Sequence, residues 1–559
     1  MTGPDPRLRF LWRYARPWKY RILLSLLGLT FVSVASLLYP WLLKLMVDQF
    51  SGRTSPAISL DALCALLLVV FLLSTVAGYY QQVEMRTLGY RLRNSMRIAL
   101  YAALLSRPMS FHRQTRVGEI TSRATEDIGR MQILFSSLLS PAFQNTLFLS
   151  GCLAMMAWLN ATATLMVVGL VVLPIPFVWV ASRKIRTLTA RGQAHHAHAN
   201  AFLEESLVAM REIKAFAREK LEFRRYADSL DRALGTEIAA SNLHVKINQV
   251  IYMLFSGALL AIFYTGTRRT FFPHWTLGDI IAFYFYSYTM TTAVLSVGRV
   301  YLTYQEISGS LGRVMDLLEE PGESPSEGIV SRPMAGKVAF RNVAFAYETE
   351  RPVLTNVTLT VNPGEWQLIT GASGSGKSTL AGMLMGFCRP GHGTITVDDI
   401  PLPFWQPGSL RRQIGYVGQD PLLIHGTLRE NILFLDVPAT EQQLARAIDL
   451  SCLGDLVSSL PGGLDTVVGE RGYTLSAGQK TRVAIARAIL HDPPVLILDE
   501  ANAALEEDLE RQLWMNLAAA RAERTTIIFS HHSEHIPAIY TMARLDNGVL
   551  HFLPALHER

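Results

Sequence analysis

Cysteine and charged residues are both scarce in this sequence of 559 residues. Its four cysteines, Cys64, Cys152, Cys388 and Cys452, lie far apart and form no Cys-x-x-Cys pair. This spacing excludes a disulfide framework and argues against zinc or dithiol redox chemistry. Charged residues make up only 18% of the chain, whereas hydrophobic residues make up 50%. Such a composition is unusual for a soluble protein of this length and predicts a membrane-embedded part.

Length and net charge narrow the class of protein further. Because domains usually have about 100–200 residues, a chain of 559 residues predicts more than one domain. A net charge of +6 could indicate a protein that binds nucleic acid. Many of the basic residues, however, flank long apolar runs, where they set the orientation of membrane helices. We therefore expect the lipid bilayer, and no nucleic acid, as a partner.

Six apolar runs of about 20 residues are each long enough to cross a bilayer. They comprise residues 22–46, 60–80, 139–158, 161–182, 247–266 and 279–300. The first run resembles a signal peptide, but it is too long for an apolar core of roughly 7–15 residues and lacks a small-residue cleavage site. We therefore predict that it is a retained membrane helix.

Basic residues distinguish the two sides of the predicted bundle. The connections after spans one, three and five are short and carry only Arg53, Arg268 and Arg269, whereas those after spans two and four are long and rich in arginine and lysine. Because basic loops stay on the cytoplasmic side, we predict that both long connections and both chain ends are cytoplasmic. The compact architecture and the lack of a transit peptide favour a bacterial plasma (inner) membrane.

The two long connections have the pattern of helices. Residues 89–105 and 199–226 keep apolar residues at three- and four-residue spacing and contain no proline, which predicts that membrane helices continue into the cytoplasm. Residues 108–127 interrupt the first connection with a turn and a short polar helix. This tip either presses on a soluble domain or forms a solvated helical hairpin.

Within the predicted spans, ionisable and aromatic residues are the candidates for substrate contacts. Ionised groups are rare; Lys44 and Asp48 are expected at the outer interface, and no buried acid–base relay is evident. Residues 283–289 are rich in phenylalanine and tyrosine. They either line a path for an amphipathic substrate or pack within the bundle.

The composition changes after Leu318. Residues 319–328 are polar and rich in proline and glycine, which is typical of a linker. We predict a multi-domain membrane protein with an all-α, six-helix transmembrane domain at residues 1–318, a linker at 319–335 and an α/β phosphate-loop ATPase domain at 336–559.

One stretch of the second domain fits the phosphate-binding pattern G-x-x-x-x-G-K-[ST], between a predicted strand (365–370) and a predicted helix (380–385). Its residues are Gly371, Ala372, Ser373, Gly374, Ser375, Gly376, Lys377, Ser378 and Thr379. The glycines let backbone amides face phosphate oxygens at a helix N-terminus, Lys377 can reach the outer phosphates of ATP, and Ser378 can ligate Mg²⁺. A glycine-rich turn without a ligand is the alternative, which the Lys-Ser-Thr ending disfavours.

Further candidates follow predicted strands of the same domain. The apolar run 495–498 ends in Asp499 and Glu500, where one acid can hold Mg²⁺ and the other can polarise an attacking water. Residues 525–530 lead to His531, which could contact the γ-phosphate or that water. Tyr347 ends another strand pattern, where an aromatic ring could stack on a base. Asn547-Gly548 predicts a type I′ hairpin.

The stretch Leu475-Ser476-Ala477-Gly478-Gln479 closely resembles the signature motif of ATP-binding-cassette (ABC) proteins. Six spans followed by one cassette resemble an exporter-type (type IV) ABC half-transporter over nearly the whole chain. The resemblance implies that Tyr347 stacks on adenine, Gln419 is the Q-loop residue, Glu500 is the catalytic base and His531 is the switch histidine. Lys377, Glu500 and His531 are then the expected catalytic residues, and Ser378, Gln419 and Asp499 are the expected Mg²⁺ ligands. Residues 466–472 resemble the X-loop, and 111–127 and 204–219 resemble the connections that carry coupling helices.

The signature motif also implies a partner. Ser476, Ala477, Gly478 and Gln479 would bind the γ-phosphate of ATP held by an opposite cassette. A second half-transporter is therefore implied; a homodimer suffices, and a heterodimer stays open. Two departures bear on cross-dimer communication: Ala477 stands where glycine is usual, and Ala503 and Glu506 stand where serine and aspartate are usual.

Together these features predict ATP hydrolysis coupled to the transport of an amphipathic or lipid-like small molecule, with export favoured. ATP would pair the cassettes, and the membrane domain would then expose its cavity on alternate sides. An importer built on the exporter fold, for example for a metal–siderophore, and an ATP-gated channel or regulatory subunit are the alternatives. A soluble ABC ATPase is disfavoured by the apolar spans.

Overall fold

The computed structural model describes residues 6–52, 58–115, 117–172, 175–267, 275–320, 322–323, 328–348, 351–434, 439–469, 474–502, 505–531, 535–536 and 540–553. The chain divides into two compact units. The membrane unit comprises Met1–Tyr101 and Gly118–Glu320. The cassette unit comprises Pro321–Arg559 together with Ala102–Val117, so the tip of the first long connection groups with the C-terminal part of the chain.

Helices account for the N-terminal part of the chain. They are α1 (Pro6–Ala15), α2 (Lys19–Phe50), α3 (Leu60–Leu105), α4 (Met109–Gln114), α5 (Val117–Ser122), α6 (Ile128–Met131), α7 (Ser140–Leu159), α8 (Ala161–Val172), α9 (Ile175–Val208), α10 (Met210–Ala215), α11 (Glu219–Thr267) and α12 (Leu277–Glu319). As predicted, α3, α9 and α11 extend far beyond the length of about 20 residues that a bilayer requires.

Four helical segments among the described residues are long and apolar enough to cross a membrane. They are Arg9–Phe50, Leu60–Leu105, Val117–Leu159 and Leu277–Glu319. They contain the predicted spans one, two, three and six. The predicted span 161–182 includes residues 173–174, which lie outside the described residues, and the span 247–266 falls within α11. The total of six spans therefore stays a prediction.

The core of the membrane unit lies between α2, α7, α8 and α12. Its buried members include Cys152 and Met156 of α7 and Phe283 and Tyr286 of α12, and the Tyr286 hydroxyl donates a hydrogen bond to Leu37 O at 2.8 Å. Packing therefore explains two of the aromatic residues for which a substrate path was the other interpretation. Their neighbours Tyr284, Phe285 and Tyr288 are exposed in the single chain.

An ion pair joins the start of α12 to the end of α2. Lys44 Nζ lies 2.7 Å from Asp279 Oδ1, and Asp48 accepts a hydrogen bond from Gly278 N at 3.2 Å. A Cβ atom at position 278 would lie 2.6 Å from both Asp48 Oδ1 and Lys44 O, so only glycine permits this approach. The sequence predicts Lys44 and Asp48 at an interface, and the structure shows in addition that they hold two helices together.

The cassette unit contains strands β1 to β12 and helices α13 to α19. The strands are β1 (Val338–Glu348), β2 (Arg351–Val361), β3 (Trp366–Thr370), β4 (His392–Val397), β5 (Ile400–Pro401), β6 (Ile414–Val417), β7 (Gly426–Thr427), β8 (Val467–Val468), β9 (Val495–Asp499), β10 (Thr525–Ser530), β11 (Tyr540–Asp546) and β12 (Val549–Leu553). The helices are α13 (Lys377–Leu384), α14 (Pro407–Arg412), α15 (Leu428–Ile432), α16 (Glu441–Leu450), α17 (Gly454–Ser459), α18 (Ala477–Ile489) and α19 (Glu507–Ala520).

The six-stranded sheet of this unit has the order β12-β11-β3-β10-β9-β6. Strands β11, β3, β10, β9 and β6 are parallel to their neighbours, and β12 is antiparallel to β11. Successive residues of β9 enter opposite cores: Val495 and Ile497 on one face, Leu496 and Leu498 on the other. Burial on both faces explains the continuous apolar runs. The predicted α/β fold class is confirmed.

The connection between β11 and β12 is the predicted two-residue hairpin turn. Asp546 pairs with Val549, and both central residues have positive φ, 48° at Asn547 and 79° at Gly548. These angles are those of a type I′ turn, which matches the twist of the flanking strands. A separate four-stranded sheet, β2-β1-β4-β5, is antiparallel.

Candidate nucleotide-binding site

Parallel strand order determines where the candidate residues meet. β3, β10, β9 and β6 are neighbours, so their carboxyl ends lie at one edge of the sheet. The phosphate loop follows β3, His531 follows β10, Asp499 and Glu500 end β9, and Gln419 follows β6. Four segments that are far apart in the sequence therefore deliver their polar residues to the same place.

The phosphate loop depends on its glycines. Gly374 and Gly376 have φ of 78° and 108°, a region that favours glycine. A Cβ atom at Gly371 would lie 2.4 Å from Leu545 O, and one at Gly376 would lie 2.7 Å from a methyl group of Leu354. Helix α13 begins at Lys377, immediately after Gly376. The sequence pattern had suggested a start at residue 380, but the left-handed Gly376 lets the helix begin directly after the loop.

The side chain of Lys377 is buried in the loop. It is 4% exposed, and its ammonium group donates hydrogen bonds to Gly371 O at 2.8 Å and Ala372 O at 3.0 Å. The same Nζ atom lies 3.5 Å from a carboxylate oxygen of Glu500. A cation held this way can meet the outer phosphates of a nucleotide after a small movement.

Glu500 is the centre of a polar cluster. Its Oε1 lies 2.7 Å from His531 Nε2, and its Oε2 accepts a hydrogen bond from Gln419 Nε2 at 2.6 Å. Lys377 Nζ also lies 3.3 Å from His531 Nε2. Glu500 has φ of 54°, which is rare for a residue with a side chain and is found preferentially at functional sites. The structure brings together four of the residues that the sequence singled out.

Asp499 offers a free oxygen to this cluster. The residue is 1% exposed, and its Oδ1 is buried without a hydrogen-bond partner among the described residues. Burial raises the pKa of Asp499, although hydrogen bonds from Ser378 and Tyr416 oppose this shift. A buried carboxylate oxygen without a partner next to a serine hydroxyl fits a small, hard cation such as Mg²⁺. The participation of Tyr416 was missed in the sequence.

Tyr347, near the end of β1, lies beside the phosphate loop. Its hydroxyl lies 3.1 Å from Thr379 Oγ1, and the ring of Phe345 meets its ring edge-on at a centroid distance of 4.7 Å. The side chain remains 51% exposed. An exposed aromatic ring that is held at its hydroxyl and at one edge is suited to stacking.

The signature segment lies at the start of α18. Ser476 is its N-cap; Ser476 Oγ accepts from Gln479 N at 3.3 Å, and Gln479 Oε1 accepts from Ser476 N at 2.9 Å. Ala477 is the first helical residue and is not among the residues with positive φ. Its methyl group therefore causes no backbone strain. Ala503 and residues 470–473, which include part of the predicted X-loop, lie outside the described residues.

Two features define the class of this protein. One chain joins an apolar helical unit to an α/β unit, and polar residues converge at one edge of the sheet in the α/β unit. This combination is that of membrane transporters driven by nucleotide hydrolysis. The family follows from comparison with known proteins. Residues 22–294 match the family of the ABC transporter transmembrane region, and residues 354–503 match the ABC transporter family. The chain belongs to the ABC transporters and is an exporter-type half-transporter, which binds ATP and couples its hydrolysis to transport.

Similar proteins match this chain over nearly its whole length. The chain is 29% identical to an ATP-dependent lipid A-core flippase of Thiobacillus denitrificans over 98% of this chain and 95% of that protein. It is 31% identical to ATP-binding cassette sub-family B member 10, mitochondrial, of Mus musculus, over 95% of this chain and 76% of that protein. A bacterial Atm1-family ABC exporter, solved with ATP bound, superposes with a TM-score of 0.81 at 25% identity and covers 95% of this chain and 94% of the other.

Proposed function

We propose that two copies of this chain form an ATP-driven exporter of an amphipathic or lipid-like small molecule. The observation that carries the proposal is the convergence of Lys377, Gln419, Glu500 and His531 within 2.6–3.5 Å contacts. Neither a structural ion pair nor a packing role requires a lysine from a phosphate loop, a strained glutamate and a histidine at one sheet edge.

Each residue of the cluster has a role in this proposal. Glu500 accepts a proton from the attacking water, Gln419 and His531 orient the carboxylate and the water, and Lys377 neutralises charge on the transferred phosphoryl group. Tyr347 stacks on adenine. The remaining members of the loop, from Gly371 to Thr379, surround the phosphates with backbone amides.

Mg²⁺ fits beside this cluster. Ser378 and Asp499 would hold it, with Gln419 at the edge of the site; the free Asp499 Oδ1 is the observation that supports this assignment. When bound, the ion would neutralise the charge of the β- and γ-phosphates.

A second protomer is supported by the surface of the second long connection. Helices α9 and α11 pack against each other, yet none of residues 200–228, all of them described, is buried. The exposed apolar side chains are Leu203, Leu207, Val208, Met210, Phe216, Leu221 and Phe223. A cytoplasmic surface of this kind indicates a protein partner, and a second copy suffices because one chain supplies both the phosphate loop and the signature residues Ser476, Ala477, Gly478 and Gln479.

Two arguments favour a lipid-like substrate. The relative from Thiobacillus denitrificans is a lipid A-core flippase. In addition, the membrane unit contains a cavity of about 400 Å³ lined by Tyr39, Pro40, Leu43, Cys64, Leu67, Leu68, Phe71 and Phe285. This lining is apolar and without charge, so it suits an acyl chain better than an ion.

The proposed cycle uses ATP as a bridge. Each γ-phosphate would bind donors from the phosphate loop of one cassette and from the signature helix of the other, so ATP favours the paired state over the separated state. Pairing would turn the membrane helices outward through the two cytoplasmic connections, and hydrolysis would remove the bridge. We place the chain in a bacterial inner membrane with both termini cytoplasmic, as the basic connections indicate.

Substitution Glu500→Gln tests the site. It removes the proton acceptor but keeps the size of the side chain, so we expect ATP hydrolysis by the purified, reconstituted protein to fall at least about 100-fold while ATP still binds. The matched control is Glu441→Gln, which changes a glutamate whose side chain is 81% exposed and contacts Arg429. Unchanged hydrolysis in Glu500→Gln would refute the assignment.

The direction of transport is tested in inside-out membrane vesicles. Export predicts ATP-dependent accumulation of a fluorescent phospholipid analogue or another amphipathic probe inside them, and Glu500→Gln should abolish it. Loss of a preloaded probe from such vesicles would instead indicate an importer.

A further inference from the structure

The tip of the first cytoplasmic connection reaches the base-binding residue of the proposed nucleotide site. The guanidinium carbon of Arg113, in α4, lies 4.6 Å from the centroid of the Tyr347 ring. Both residues belong to the cassette unit. A guanidinium group at this distance over an aromatic face makes a favourable cation–π contact.

Three neighbours hold the side chain of Tyr347 in place. Arg113 lies over the ring, the ring of Phe345 stands perpendicular to it, and the hydroxyl group contacts Thr379. The side chain is nevertheless 51% exposed. About half of the residue therefore remains accessible, and a base stacked on the ring opposite Arg113 would complete a layer of base, tyrosine and guanidinium.

We propose that Arg113 is a positioning residue for the nucleotide base: it holds Tyr347 in the orientation that stacks on adenine. This inference rests on the proposed role of Tyr347. The basis is one chain of contacts that runs from Arg113 to the Tyr347 ring, and from the Tyr347 hydroxyl to Thr379 of the phosphate loop.

Arg113 would couple the position of the end of α3 to stacking of the base on Tyr347. Arg113 follows α3 by only a short turn in the chain, since α3 ends at Leu105 and α4 begins at Met109. A shift of this end of α3 displaces Arg113 and weakens base stacking. Because linkage between two binding equilibria is reciprocal, a stacked base in turn favours the position of α4 that keeps Arg113 on the ring.

The test compares ligands with and without a base. In the full-length, reconstituted protein, ADP and inorganic pyrophosphate each compete with a fluorescent ATP analogue, and neither competitor is a substrate for hydrolysis. Arg113→Ala should weaken ADP about threefold to tenfold, the range of a single cation–π contact, and leave pyrophosphate unchanged. Arg113→Lys, which keeps the charge, should restore part of the ADP affinity.

Two controls separate the possible failures. Arg123→Ala removes an arginine of the same connection that pairs with Glu119, and it should leave both competitors unchanged. Tyr347→Ala should weaken ADP at least as much as Arg113→Ala. If Tyr347→Ala has no effect, the proposed adenine site itself is wrong. If Tyr347→Ala weakens ADP but Arg113→Ala does not, or if Arg113→Ala weakens ADP and pyrophosphate equally, the positioning role is wrong and the adenine site stands.

Discussion

The two long connections between the predicted spans differ in how far their apolar side chains are covered. The tip of the first one, residues 102–117, is part of the cassette unit: Arg113 lies over Tyr347, and Ser106 O accepts a hydrogen bond from Glu323 N at 2.5 Å. The second one, from α9 through α10 to α11, leaves Phe216 75% exposed and Val208 84% exposed. The tip of the first connection packs within the cassette unit, whereas the second presents apolar side chains that its own unit does not cover.

This difference suggests two separate contacts between the proposed partners, one at the second connection and one at the nucleotide site. Isolated apolar side chains are common on protein surfaces, but a cluster at a helical tip marks a contact site. The phosphate loop and the signature helix also require two chains if each nucleotide is to bind both. The second connection therefore supports the proposed pairing independently of ATP.

Among the changes that test this comparison, the largest loss of ATPase activity is expected when the second connection is altered. Phe216→Asp places a charge where we expect a buried aromatic ring, which forfeits about 1.5–3 kcal/mol of burial and adds the cost of desolvating a carboxylate. We predict that ATPase activity of the reconstituted protein falls more than about tenfold and that cross-linking of the two copies is reduced. Phe552→Asp changes a phenylalanine that is 62% exposed in β12 and serves as the matched control. Normal pairing and activity of Phe216→Asp would show that the exposed tip is no interface.

The features that the sequence predicts best are those determined by residues next to each other in the chain. The phosphate loop, the two acids after an apolar strand and the Asn547-Gly548 turn are short patterns in which neighbouring residues determine the backbone, so their geometry followed from the sequence. Parallel strand order then explains why Gln419, Glu500 and His531 meet. Contacts between distant side chains left no such signal. Tyr416 with Asp499, Lys44 with Asp279 and Arg113 with Tyr347 depend on packing that no periodicity encodes.

A moderate loss of thermal stability is expected when the contacts of Glu323 are removed. Glu323 lies in the linker and contacts both the first connection and the cassette. Glu323 forms a bidentate ion pair with Arg411 at 2.9 and 3.0 Å, while its backbone amide binds Ser106. Both side chains are less than one-third exposed, so we assign the pair about 1–2 kcal/mol. Glu323→Ala and Arg411→Ala should each lower the thermal unfolding midpoint of the cassette by about 2–6 °C.

A double-mutant cycle separates this pair from general damage. If Glu323 and Arg411 act on each other, the double variant should be little less stable than either single variant. Arg412→Ala, at the next position in α14, is the control for removing a positive charge. Fully additive losses would mean that the two side chains stabilise the cassette independently and that the linker is not held by this pair.

The smallest effect on ATPase activity is expected from Ala477→Gly, at the start of the signature helix α18. Ala477 occupies the first position of α18 and has an ordinary helical backbone. The substitution Ala477→Gly therefore removes a methyl group without relieving strain. It should change ATPase activity by less than about threefold, because glycine costs at most about 1 kcal/mol in a helix. Ser476→Ala provides the contrast, because it removes both the N-cap, worth about 1 kcal/mol, and a proposed donor to the opposite ATP; it should lower activity about tenfold or more. A tenfold gain in Ala477→Gly would show instead that the methyl group obstructs the surface that meets the other cassette, and the cross-chain contact would then be tighter than the backbone of one chain indicates.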